Sequence, residues 1–290
     1  MKKAVFNISV FLFLAVSIAL GIYGCLDLEA KTNEEDKMIW SDEFNYSGLP
    51  DSTKWSYDIG DACDIPAGCG WGNAELQYYT DKNLKNARVE NGHLIIEAHK
   101  EDMRNSKYTS ARLVTRKKGD WKYGRVEVRA KLPSGLGTWP AIWMLSTEWK
   151  NGGWPESGEI DIMEHVGFMP DSILGTVHTS AFNHSIHTQR GDSIMISDVE
   201  RNFHNYSINW NEDKIDFFVD DLNYFTFKNE GKGTAEWPFD EYFHLIINLA
   251  VGGNWGGARG VDDTIWPQQL VVDYVRVYSP SSKSTADSSK

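Results

Sequence analysis

Polar and apolar residues alternate one for one through much of this chain, and that period commits it to strands. In residues 125–132 the apolar set Val126, Val128, Ala130 and Leu132 interleaves with Arg125, Glu127, Arg129 and Lys131. This is the pattern of a strand with one face buried. Residues 93–99, 206–210, 214–219, 243–249 and 270–278 read the same way. Turn signals separate them: Asn91-Gly92, Gly152-Gly153, Asp220-Asp221 and Gly252-Gly253. Beyond the first 24 residues no stretch sustains a long helical period, and nothing within 40–278 reads as a linker or an internal repeat. Many short strands at turn spacing predict an all-β sandwich or barrel.

The ends read differently from the body. Lys2 and Lys3 precede an uncharged, mostly apolar run over 4–24, the pattern of a secretory signal. Ile22-Tyr23-Gly24-Cys25 resembles the lipobox of bacterial lipoproteins, although Ile22 and Tyr23 depart from its usual residues. Acylation of Cys25 and its freed amine would give a stable anchor; a plain secretory signal cut elsewhere is the alternative. The expected organisation is a signal peptide at 1–24, a flexible tether at 25–37, a body at 38–278 and a disordered tail at 279–290. The expected location is a bacterial membrane, the outer one, reached through the lipid anchor alone. Removing Lys2 and Lys3 takes the basic count from 29 to 27 against 41 acidic residues, a mature charge of 27 − 41 = −14. That balance excludes nucleic acid, which needs a basic footprint. A mean hydropathy of −0.44 and a single long apolar run exclude a multi-span membrane protein. Cys63 and Cys69 are six apart in an exported chain, so a local disulfide ranks ahead of two free thiols.

The chemistry concentrates in residues 157–165. Glu159 and Asp161 share a face of a regular strand, and Ile160 and Ile162 share the other. Glu164 falls on the wrong face by alternation; a bulge at Ile162-Met163 would return it. Three carboxylates on one face repel, which raises at least one pKa and suits acid–base work. Aromatic residues flank the run: Trp139 and Trp143 share a face before it, Trp154 lies just ahead, and His178 follows. Indole faces stack on sugar rings, so carboxylates between them suit glycosidic bond cleavage. Trp139 and Trp143 fit the core equally well, and His178 could be a strand histidine.

At these residues the chain resembles glycoside hydrolase family 16. Residues 158–164 match the bulge-containing active-site motif Glu-x-Asp-x-x-Glu, and flanking matches run in order through 40–44, 72–80, 108–113, 123–131, 139–143, 252–255, 266–269 and 272–278. The combination is similar to the laminarinase branch. The resemblance implies a jelly-roll β-sandwich, like concanavalin A, with a substrate cleft on its concave face. It also implies retaining endo-hydrolysis of β-1,3-glucan by a monomer with no cofactor for catalysis. Glu159 would be the nucleophile, Glu164 the acid/base and Asp161 the residue tuning the pair, with Glu159 ionised and Glu164 protonated at rest. Asn73, Arg112, Trp139, Trp143, Trp154, His178 and Trp255 would bind sugar; Arg112 could instead pair with Glu97 or another acid. Alternatives are a mixed-linkage β-1,3-1,4-glucanase, or a non-catalytic glucan-binding protein on the same fold. The resemblance further implies a structural Ca²⁺ held by Glu43, Asp273 and the Gly92 carbonyl. Asp273 alternates with Val271, Val275 and Val277, where a carboxylate is costly unless metal-bound or paired with Arg or Lys.

Overall fold

The computed structural model describes residues 37–66 and 68–280. The signal peptide, Cys25, nearly all of the tether and nearly all of the tail lie outside the described residues. Within them the chain forms β1 (Met38–Asp42), β2 (Ser56–Tyr57), β3 (Gln77–Tyr79), β4 (Ala87–Glu90), β5 (His93–Met103) and β6 (Ser106–Ser110). There follow β7 (Arg112–Val114), β8 (Asp120–Trp121), β9 (Gly124–Lys131), β10 (Thr138–Ser146), β11 (Glu159–Glu164) and β12 (Ser172–His178). The last are β13 (Arg190–Met195), β14 (His204–Trp210), β15 (Lys214–Val219), β16 (Leu222–Lys228), β17 (Phe243–Val251) and β18 (Gln268–Tyr278). Two short 3₁₀ turns, at Cys69–Gly72 and His184–Ile186, are the helical elements among the described residues.

The strands form two sheets. The ten-stranded sheet runs β16-β15-β14-β9-β18-β5-β6-β3, with β1 beside β18 and β4 beside β5. The eight-stranded sheet runs β13-β12-β11-β10-β17-β7-β2, with β8 beside β17. The alternation explains the layers. Val126, Val128, Ala130, Ile208 and Val275 point inward from the larger sheet. Ile142, Met144, Ile160, Ile162, Leu245 and Leu249 do so from the smaller one, and all join one buried cluster. This is the sandwich that the sequence predicts. The twelve tryptophans divide: Trp55, Trp121, Trp210 and Trp237 belong to this core.

One alternation breaks. A register shift between Val272 and Tyr274 makes Asp273 an extra residue in β18. The buried set becomes Leu270, Val272, Val275 and Val277, so Asp273 does not share the face of the two later valines. The expected cost of a carboxylate among valines is therefore absent.

Candidate active site

A second register shift builds the site. Along β11, Trp143 faces Asp161 while Ile142 faces Met163, so Ile162 is extra against β10. Against β12, Asp161 faces Thr176 and Glu164 faces Leu174, leaving Ile162 and Met163 opposite Gly175. Ile160, Ile162 and Met163 are all buried in the core, and Glu159, Asp161 and Glu164 share the outward face. Gly175 is required there, because a β-carbon would collide with the Tyr224 hydroxyl packed beneath it.

Register then lays residues across the sheet in rows. His178 lies opposite Glu159, and Glu159 opposite Leu145. Glu164, Ala141, Asn248 and Arg112 form another row through β11, β10, β17 and β7. The Trp154 indole N–H donates to Glu159 Oε2 at 2.8 Å, and the Trp139 indole N–H donates to Glu164 Oε1 at 3.1 Å. His178 Nε2 lies 3.3 Å from Asp161 Oδ2 and 3.8 Å from Glu159 Oε1. Among the described residues no Lys or Arg forms an ion pair with any of the three acids.

Their titration follows from that isolation. Burial pushes Glu159 up to about 8, reinforced by the charge of Asp161 and opposed by His178 and Trp154. Burial, with the charge of Glu164, holds Asp161 well above the usual carboxylate range. Burial also raises Glu164, against the pull of His178 and the Trp139 bond. Near neutrality the cluster therefore retains protons. The rise of Glu164 agrees with its expected protonation at rest, while ionisation of Glu159 requires it to pass a proton on. Desolvation acts on both, and the field of Asp161 falls on Glu159, its hydrogen-bonded neighbour.

The remaining expected residues fall into two groups. Trp139, Trp143, Trp154, His178 and Trp255 gather around the acids, with Trp255 edge-on to Trp139 at 5.5 Å. The Trp143 indole N–H donates to Asn248 Oδ1 at 2.7 Å. Arg112 stands behind this wall. Its guanidinium lies 4.5 Å from the Trp71 ring and 4.7 Å from the Trp143 ring, with Nε 3.0 Å from Asp58 Oδ2. It supports Trp143, and Glu97 pairs instead with Arg88 and His99. Asn73 donates to Glu75 Oε1 at 3.2 Å. Cys63 and Cys69 form a disulfide, and Trp71 lies two residues beyond it.

Sequence reasoning missed Glu75. It accepts from Asn73, from Gln77 at 2.7 Å and from the Tyr79 hydroxyl at 3.2 Å, and Tyr79 in turn accepts from Asn248. Burial raises its pKa against those bonds and the charge of Arg112. The signal was present in the period-two polar run Asn73, Glu75, Gln77 and Tyr79. His184, which no sequence pattern marks, also borders the site: its ring lies 4.8 Å from Trp154 and 5.2 Å from His178.

The residues expected to hold calcium do not converge in this way. Arg276 pairs with both carboxylate oxygens of Glu43, at 2.9 and 2.8 Å. Asp273 pairs with Arg129, and its other oxygen lies 3.7 Å from His93 Nε2. Gly92 occupies the turn between β4 and β5 at φ 80°. Both carboxylates already have cationic partners, so the set does not fit an added cation as it stands.

A β-sandwich whose open face sets neighbouring carboxyls among indoles belongs to the class of glycoside hydrolases. Residues 74–276 match the family model for glycosyl hydrolases family 16, and the chain belongs to that family. It is 57% identical over 249 residues to a β-glucanase of Rhodothermus marinus, covering 83% of this chain and 85% of that protein. The solved laminarinase of Rhodothermus marinus superposes with a TM-score of 0.81 at 55% identity, covering 84% of this chain and 97% of that one. SCLam, a non-specific endo-β-1,3(4)-glucanase, superposes with a TM-score of 0.79 at 47% identity, covering 85% and 92%.

Proposed function

We propose that the protein is a retaining endo-β-1,3-glucanase with Glu159 as nucleophile and Glu164 as acid/base. The observation that carries this reading is the bulged strand β11. It holds three acids on one outward face with no Lys or Arg partner among the described residues, beneath two indole donors and beside the His178 imidazole. In the first step Glu164 protonates the leaving glycosidic oxygen while Glu159 attacks the anomeric carbon. In the second, Glu164 takes a proton from water, which releases the sugar from Glu159. Glu159 must be ionised to attack. Asp161, hydrogen-bonded to Glu159 and also raised, is placed to hold the proton that Glu159 gives up. Trp154 then donates to the free carboxylate. Trp139, Trp143 and Trp255 offer ring faces to the glucan, and Asn73, His178 and Arg112 complete the proposed binding set, Arg112 acting through Trp143.

A second reading keeps the same chemistry on mixed-linkage β-1,3-1,4-glucan, favoured by the likeness to SCLam. A non-catalytic glucan-binding protein would be expected to lack a catalytic acid, whereas Glu159 and Glu164 are both present. Product analysis on laminarin, mixed-linkage glucan and agarose side by side tests these readings. We expect short β-1,3-linked products from laminarin; cleavage of agarose but not laminarin would overturn the specificity.

Three further proposals rest on sequence and resemblance. Cys25 is the lipid attachment point on an outer membrane, so Cys25→Ser should release the protein to the soluble fraction. The enzyme acts as a monomer, which sedimentation would check. Structural calcium at Glu43, Gly92 and Asp273 would have to displace Arg276 and Arg129; a melting temperature unmoved by chelator would remove it.

A further inference from the structure

Glu159, Asp161 and His178 present three ligand atoms that all lie within 4.8 Å of one another. Two ligands about 2.0–2.1 Å from a tetrahedral zinc ion stand about 3.3–3.4 Å apart. His178 Nε2 and Asp161 Oδ2 are separated by 3.3 Å, and His178 Nε2 and Glu159 Oε1 by 3.8 Å. The first pair already spans a tetrahedral edge, and the second needs only a small rotation. Asp161 is 3% exposed, and its Oδ2 has no hydrogen-bond partner. A buried carboxylate oxygen left unsatisfied is costly, and here it points toward an imidazole nitrogen that can present a lone pair. The backbone holds the donors in place, since Glu159 and His178 are direct partners across β11 and β12.

We propose that Glu159, Asp161 and His178 form a zinc site whose occupation silences the hydrolase. Two carboxylates balance the charge of the ion, a neutral imidazole supplies the third ligand, and water completes the tetrahedron. Imidazole beside carboxylate suits zinc, whereas Ca²⁺ and Mg²⁺ take larger, all-oxygen shells. Zinc on Glu159 Oε1 occupies the oxygen needed for attack, and it stands where the sugar at the cleavage point would sit. The inhibition is therefore reversible and competitive with glucan. It rests on the reading of Glu159 as nucleophile, but zinc binding itself does not.

Calorimetric titration of the full chain with Zn²⁺ in chelator-free buffer measures binding without substrate. We expect one saturable site, no comparable heat from Ca²⁺ or Mg²⁺, and competition by a laminarin oligosaccharide. His178→Ala and, independently, Asp161→Asn should each weaken binding by at least about tenfold, since even outer-shell changes cost that much. Near-wild-type melting of either metal-free variant ensures that the loss is local. Zinc affinity unchanged in both variants, or no zinc binding, overturns the site. Saturated zinc with hydrolysis undiminished overturns the silencing. A protein that binds zinc here but hydrolyses no glucan defeats the functional reading and leaves the site standing.

Discussion

The two sheets carry acids on their outward faces in opposite ways. On the ten-stranded sheet each is matched. Glu97 meets Arg88, Glu127 meets Arg125, Asp216 meets Lys214, and Asp273 meets Arg129. Beside it, Arg276 holds the Glu43 carboxyl below its usual range. On the eight-stranded sheet Glu159, Asp161 and Glu164 all titrate high, and so does Glu75, which is bridged to Gly252 just beyond the end of β17. The same one-for-one alternation builds both faces, so alternation alone does not separate them. The difference is the partner: guanidinium and ammonium groups on one face, indole, amide and imidazole groups on the other. Indoles stabilise a carboxylate less than a full charge does, so the protons stay within reach. A face held at that cost is where chemistry is expected.

The largest expected effect tests the unpaired face. Glu159→Gln should lower hydrolysis of laminarin by about 10⁴-fold or more, as losses of a catalytic nucleophile do. Comparable activity in the variant would put this acid on the same footing as the paired ones. The same substitution should raise stability at neutral pH. The folded pKa of Glu159 lies above its unfolded value, so the folded state binds more protons between them. That stability is fully present below the unfolded pKa and is lost as pH rises through about 8. Melting curves should show Glu159→Gln matching wild type near pH 4 and exceeding it by up to about a few kcal/mol at high pH.

Smaller effects belong to the paired face and the supporting wall. Arg129→Ala breaks an ion pair whose side chains are about one-third exposed. It should cost about 0.2–1 kcal/mol by denaturant titration and leave kcat unchanged. Loss of hydrolysis there would mean that the two faces do not divide the work. Replacing Cys63 and Cys69 together by Ser should loosen Trp71 from Arg112, and so Trp143 from its support. We expect KM for laminarin to rise a few-fold with kcat little changed; a fall in kcat alone would show that the disulfide acts elsewhere.

Strands were legible wherever one face is buried, because period two records burial directly. β17 hides this partly: all nine of its residues are buried, since Trp143 and its neighbours cover the outward Ile246. The bulge in β11 was inferable because Glu164 made chemical sense only on the face of Glu159. Nothing comparable marked the bulge in β18, so Asp273 was placed with the wrong neighbours. The role of Arg112 depends on Trp71, which the Cys69–Gly72 turn brings across from another part of the chain. Glu75 shows a different limit, because its importance lies in bonds to Gln77, Tyr79 and, through Tyr79, Asn248 on a distant strand. Proton placement was the least legible, since it depends on desolvation that only the packed sheet creates.

The central claim is that the unpaired acids act as a nucleophile and an acid/base on one sugar. Proton NMR of laminarin oligosaccharides, recorded as hydrolysis begins and before mutarotation, reports the configuration of the new reducing end. The β anomer appearing first is the result this account predicts. The α anomer appearing first would contradict it, because Glu159 could not then have attacked the anomeric carbon.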